Sequence, residues 1–223
     1  MIVVHYLDNS RAHRVLWLLE ELGLAYKVRN YKRDAGMRAP AALKAVHPLG
    51  KSPVIEDEGT VVAESGAIIE YILGKYGDGG LIPPPRTPER ERYTYWLHYA
   101  EGSAMPLIVM KLICSALPKQ VPVFLKPFAA MISSGLNRKL IDPQMADHAA
   151  FWNTELARDG WFAGQNFSAA DIAMSFPVET GMQRMSYEGD RRAIDSFLQG
   201  IRARPAYQRA VVKGGAYIYA RSA

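Results

Sequence analysis

Cysteine is almost absent from this 223-residue chain, and Cys114 stands alone. That excludes an intramolecular disulfide and any Cys-x-x-Cys redox or zinc pair. A lone thiol of this kind is expected to be a small buried apolar residue. His5, His13, His47, His98 and His148 show no metal-ligand spacing, so no metal site is expected. There is no glycine-rich phosphate loop, internal repeat or low-complexity tract. Long hydrophobic runs are also missing. Residues 1–7 lack a basic region leading into a signal-length apolar stretch, and the best later run, 105–110, is cut by Lys111. A cytoplasmic protein without a transmembrane segment is expected. The net charge is +5, but the basic pairs Lys32-Arg33, Arg138-Lys139 and Arg191-Arg192 are far apart and close to acids. With no basic run carrying interleaved aromatics, nucleic acid is not an expected partner; a mild attraction for small anions is.

What remains is ample for two modest domains, with 49% of residues hydrophobic and 22% charged. Residues 2–7 are β-branched and aromatic, a first strand. Val15, Leu18, Leu19 and Leu22 give 11–22 a helical spacing that Gly23 ends. Residues 25–31 alternate as a second strand, completing a right-handed βαβ unit. A polar stretch, 31–47, reads as loop with a short helical turn at 41–45. Strands at 54–56 and 60–63 flank Asp57-Glu-Gly59, hairpin chemistry. Ile68, Ile69 and Ile72 then face one side of a helix that ends within 74–80. The order βαβ, then ββα, is that of a thioredoxin-like α/β domain, assigned to 1–82. Pro83-Pro-Pro-Arg-Thr-Pro88 is a stiff linker over 83–88. An all-helical domain is assigned to 89–223, with helices at 89–117, 121–140, 143–158, 169–185, 191–203 and from 205. Ser168-Ala-Ala-Asp171 has the form of a capping box, a structural device.

The stretch His47-Pro-Leu-Gly-Lys-Ser-Pro53, followed at eleven residues by Ala63-Glu-Ser-Gly66, is the most informative part of the chain. Proline cannot donate within a sheet, so Pro53 belongs at a strand entry, and a cis Ser52–Pro53 bond suits it. Ser52 then offers unpaired backbone groups to an extended peptide. Ser65 stands at a helix start, where N–H groups and the dipole favour a carboxylate. Glu64 takes an ammonium group and Lys51 a second carboxylate. These requirements describe glutathione. Either half alone is more often a proline turn or a capped helix.

The whole chain resembles a cytosolic glutathione S-transferase. The resemblance rests on Tyr6-Leu-Asp-Asn-Ser-Arg-Ala-His-Arg14 leading into Trp17-Leu-Leu-Glu-Glu21, on the two motifs above, and on Phe167-Ser-Ala-Ala-Asp171. Its N-terminal segments look most like the serine-type bacterial and fungal transferases related to the yeast enzyme associated with the endoplasmic reticulum. The resemblance implies a homodimer, glutathione as co-substrate with no permanently bound cofactor, and a helical wall for a hydrophobic electrophile. It also implies that Ser52 pairs with the cysteinyl unit through its backbone and that Glu64 and Ser65 hold the γ-glutamyl head. Lys51 would hold the glycine carboxylate, for which Arg38 is a second basic candidate.

Transfer needs a thiolate, and a free thiol near pKa 8.5 is mostly protonated at neutral pH. Ser10, between the first strand and first helix, is placed to acidify it, because serine-type relatives put their sulfur donor at the matching position. Tyr6 is the rival donor, as other classes use a tyrosine near the end of this strand, and a plain helix cap is the ordinary role for Ser10. Tyr95, His98, Tyr99, Met105 and Met110 are candidates for the electrophile pocket, although most such residues serve in a core. A non-catalytic glutathione-fold binding protein and a glutathione-dependent reductase or isomerase are the competing readings.

Overall fold

The computed structural model describes residues 1–220 other than 35, 37 and 216. Strand β1 (Ile2–Leu7), helix α1 (Ala12–Glu21) and strand β2 (Tyr26–Tyr31) form the first unit, with β1 and β2 parallel and Ile2 opposite Tyr26. A short helix, α2 (Ala41–Val46), precedes β3 (Val54–Asp57) and β4 (Thr60–Ala63). Strand β3 lies antiparallel to β1, with Val4 opposite Ile55, and the sheet order is β2-β1-β3-β4. The hairpin turns on Glu58 (φ 50°) and Gly59 (φ 84°), both left-handed, which matches the twist of the flanking strands. Helix α3 (Ser65–Tyr76) closes a thioredoxin-like domain with a small mixed sheet. Its core holds Val4, Tyr6, Leu16, Leu19, Ile55, Ile68 and Ile72, each buried.

Beyond the proline-rich segment the chain is helical, with the run expected over 89–117 present and the junction near 141 differing from the sequence expectation. Helices α4 (Pro88–Tyr99) and α5 (Met105–Ala116) continue into one another through a π turn at Ala100–Ala104. Helices α6 (Lys126–Leu136) and α7 (Asp142–Asp159) do so through a second π turn at Asn137–Ile141. The sequence reading broke the chain before Pro143, and the structure does not. Each wide turn ends two residues before a proline, Pro106 or Pro143. Proline has no N–H for the carbonyl four residues back and crowds it, and a wider turn moves that carbonyl aside. Helix α6 also begins later than expected, after Pro122 and a 3-10 turn at Val123–Leu125.

Helix α8 (Ala169–Arg184) is buried on nearly every side and packs against α1, α4 and α5; α9 (Arg192–Ala203) and α10 (Pro205–Gly214) follow. Its capping box is formed. The Ser168 hydroxyl accepts from the Ala170 N–H, and the Asp171 carboxylate accepts from the Ser168 N–H at 2.8 Å and the Phe162 N–H at 2.8 Å. Burial pushes the Asp171 carboxyl up to about 7 despite these donors. Cys114 is half-buried against the core, short of the full burial expected. The helical run Pro88–Lys119 is, by length and composition, apolar enough to cross a bilayer, an outcome the break at Lys111 did not anticipate.

Candidate active site

The site begins where β1 stops. Asn9 adopts a left-handed backbone (φ 53°), tolerated by asparagine better than by most residues, and this turn delivers Ser10 to the head of α1. Ser10 is 6% exposed, and its Oγ accepts from the Ala12 N–H at 3.2 Å. It therefore caps the helix and faces the cleft at once. The Ser10 Oγ also lies 3.2 Å from the Ser52 Oγ. Ser52 spends its single proton on the His5 carbonyl (2.8 Å) and accepts from the Leu7 N–H (3.2 Å). A hydroxyl has one donor, so the Ser10 hydroxyl supplies the proton of the Ser10–Ser52 bond.

The Ser52–Pro53 peptide is cis, as the sequence motif required, and β3 starts at Val54. Among the described residues nothing pairs with the backbone N–H or C=O of Ser52. Ser65 opens α3 but does not cap it. Its Oγ instead accepts from Arg14 Nη2 at 3.0 Å. Glu64, exposed, has φ 72° and ψ 128°, a sparsely populated backbone for a residue with a side chain and one that clusters at functional sites.

Arg14 is completely buried and organises this corner. Besides Ser65 it donates to the Ala173 carbonyl at 2.6 Å and to Glu101, while Arg11 reaches the other oxygen of Glu101 at 2.6 Å. Burial disfavours the charge of Glu101, but Arg14 and Arg11 outweigh it and hold the carboxyl below its ordinary range. Glu101 sits in the first π turn, so α4 and α5 are tied to the glutathione-binding corner expected from the sequence.

A cleft of about 320 Å³ opens beside Ser10. One wall is Leu7, Ser10, Arg11, Lys51 and Ser52; the other is Met105, Ile108, Val109 and Leu112 of α5 with Phe176, Thr180 and Arg184 of α8 and Tyr219. Arg11, Arg33, Lys51 and Arg184 line it, and no carboxylate does among the described residues. Such a cleft concentrates anions.

Ser10, Lys51, Ser52 and Met105 thus share one cavity. Tyr6 does not belong to it. It is completely buried on the opposite face of β1 from Leu7, as strand alternation dictates, and its hydroxyl has no partner. Burial, then Asp8, pushes its phenol far above the ordinary value, which leaves it no part in the cleft. Arg38 is exposed, with its N–H on Asp34 (2.8 Å), and does not line the cavity. Tyr95 and His98 are exposed on α4 away from it, and Tyr99 is held in the core by His148 and by the Trp152 indole at 3.2 Å. Met110 is 42% exposed and also outside.

Residues 1–74 match the family model described as "Glutathione S-transferase, N-terminal domain". The chain is 33% identical over 213 residues to "Glutathione S-transferase 3" of Schizosaccharomyces pombe, covering 96% of this chain and 88% of the relative. The chain belongs to the glutathione S-transferase family. "Glutathione S-transferase 1" of Saccharomyces cerevisiae is likewise 33% identical, over 93% of this chain and 92% of its own. Among solved structures, a glutathione S-transferase from Actinobacillus pleuropneumoniae is 32% identical with a TM-score of 0.75, covering 100% of this chain and 97% of the other. The expected family resemblance and fold class are therefore both established. In this glutathione S-transferase family member, the second wall from α8 and the C-terminal segment is what the sequence reading missed. Nothing in the local pattern around Phe176, Arg184 or Tyr219 sets them apart from core residues.

Proposed function

We propose that the protein binds glutathione as co-substrate, converts it to the thiolate beside Ser10, and adds the sulfur to a hydrophobic electrophile. The carrying observation is the Ser10 hydroxyl at the head of α1 in a cleft that, among the described residues, is lined by four cations and no carboxylate. The thiol proton leaves to solvent. The thiolate then forms the new C–S bond, either displacing a leaving group with its electron pair or adding to an activated double bond whose other carbon takes a proton from solvent. Lowering the thiol pKa by about two units takes about 2.7 kcal/mol. A charge-assisted hydrogen bond and a helix N-terminus together supply about that much. Ser10 would exchange its 3.2 Å bond to Ser52 for a bond to the sulfur, with the Arg11 N–H, unpartnered among the described residues, as a second donor. In this reading the Ser52 backbone pairs with the cysteinyl unit, Glu64 and Ser65 take the γ-glutamyl head, and Lys51 takes the glycine carboxylate. It includes assembly as a homodimer, checked by sedimentation equilibrium, and work in the cytoplasm, checked by fractionation.

The test is calorimetric titration with glutathione at neutral pH in two buffers of different ionisation enthalpy. Binding with a substantial fraction of a proton released per site is expected. Binding without release would overturn thiol activation by the protein alone, and absence of binding would overturn the site.

A further inference from the structure

We infer that the α8 wall of the cleft is an anion subsite, so that the favoured electrophile carries a carboxylate on its apolar body. The inference rests on the transferase reading above and adds the chemical class of the second substrate.

Arg184 ends α8 and lines the cleft across from Ser10. Among the described residues no carboxylate lies within ion-pair distance of it. Its Nη2 donates to the Tyr219 hydroxyl at 2.6 Å, its guanidinium stands 5.6 Å from the centre of that ring, and its Nε is buried without a partner. Tyr219 accepts this bond with its oxygen, which leaves the phenolic proton free to donate. The neighbouring Thr180 hydroxyl is already committed to the Phe176 carbonyl at 2.6 Å. The wall therefore ends in one fixed cation and one free hydroxyl donor, set beside the apolar side chains of Phe176, Ile108 and Leu112. A purely apolar electrophile would leave that charge facing it unpaired. A carboxylate accepts from a guanidinium and a phenol together, and such charge-assisted bonds are the strong ones. The carboxylates of glutathione do not occupy this place in the reading above, since they are met by Lys51 on the other wall and by Ser65 at the start of α3.

The experiment compares S-benzylglutathione with S-(4-carboxybenzyl)glutathione, two unreactive product analogues that differ only in the carboxylate, by calorimetry. The wild-type protein is expected to bind the carboxylated analogue at least about tenfold tighter, the effect of one charge-assisted hydrogen bond. Arg184→Gln is expected to shrink the gap to within about twofold, and Arg184→Lys to keep only part of it, since the ammonium retains the charge but not the planar fork on Tyr219. Because Arg184 also anchors Tyr219, Tyr219→Phe is a second variant, expected to lower the gap about threefold. Equal binding of the two analogues by the wild type, or a gap that persists in both Arg184→Gln and Tyr219→Phe, would overturn the subsite while leaving the transferase reading intact. Failure of the wild type to bind either analogue would overturn both.

Discussion

Arg14 donates to the carbonyl of Ala173 at 2.6 Å, and that carbonyl is the one Pro177 leaves without a helical partner. In an unbroken helix the N–H of residue 177 would take it. The proline in α8 thus opens an acceptor for a buried guanidinium, and the same guanidinium holds Ser65.

Replacing an interior helical proline by alanine ordinarily stabilises by about 3 kcal/mol. Here the new N–H would compete with Arg14 for Ala173. Pro177→Ala is expected to gain less than about 1 kcal/mol in urea unfolding and to weaken glutathione binding several-fold. A full gain with unchanged binding would show that Arg14 does not depend on that carbonyl.

Ser10→Ala removes the proposed donor to sulfur but leaves Lys51 and Ser65 in place. It is expected to reduce kcat/KM for conjugation by about 10- to 100-fold with a small change in glutathione affinity, and to move the acidic limb of the pH–rate profile up by about one to two units. Equal losses of binding and rate would transfer the role to backbone donors.

His13 is fully buried, stacked on Tyr217 with ring centres 4.1 Å apart, and neither ring nitrogen has a partner. Burial, aided by the charge of Arg14, lowers its pKa to about 3. The unfolded chain takes up a proton below about pH 6.5 and the folded protein does not until about 3, so stability is lost as pH falls through that window. The loss amounts to about 2 kcal/mol by pH 5. His13→Phe is expected to flatten this part of the stability–pH curve, read by urea unfolding from pH 7 to 5. Parallel curves for the two proteins would refute the assignment.

Glu20 on α1 accepts from Arg209 at 2.6 Å and Lys213 at 2.5 Å on α10, and from the Tyr26 hydroxyl of β2 at 2.7 Å. Burial works to raise its pKa, but these donors outweigh burial and hold it at about 2. The stabilisation is present above the ordinary carboxylate pKa and fades as pH falls toward 2. Both cations are about half exposed, so Glu20→Gln is expected to cost only about 1–2 kcal/mol at pH 7. The cost should shrink to roughly a quarter of that near pH 2.5, just above the folded pKa, which paired unfolding curves at the two pH values would test.

Much of the first domain was legible because its signals are local. Two left-handed residues make the hairpin, Pro53 marks a strand entry, and Ser10 follows a strand and heads a helix. Strand alternation, read one step further, would have set Tyr6 and Leu7 on opposite faces. Of the second wall only Met105 was legible, since Ile108, Phe176, Arg184 and Tyr219 come from three separate segments and no local pattern marks them as neighbours. Of the α4 candidates, Tyr95 and His98 are exposed and Tyr99 serves the helical core, while α5 faces the cleft. Arg14 was visible as a motif residue, but its partner Ala173 is a backbone oxygen, which no side-chain pattern announces.

The π turn at Ala100–Ala104 fixes the phase between α4 and α5. A wide turn is in effect a single extra residue accommodated within a helix, and each residue advances the helix by about 100°. Because the wide turn absorbs that residue, α4 and α5 keep nearly the phase of an uninterrupted helix; winding Ala100–Ala104 as α-helix instead would turn α5 by a large part of that angle, carrying Met105, Ile108 and Leu112 off the cleft. The facing of the α5 wall is therefore set by how one turn is wound as much as by side-chain identity.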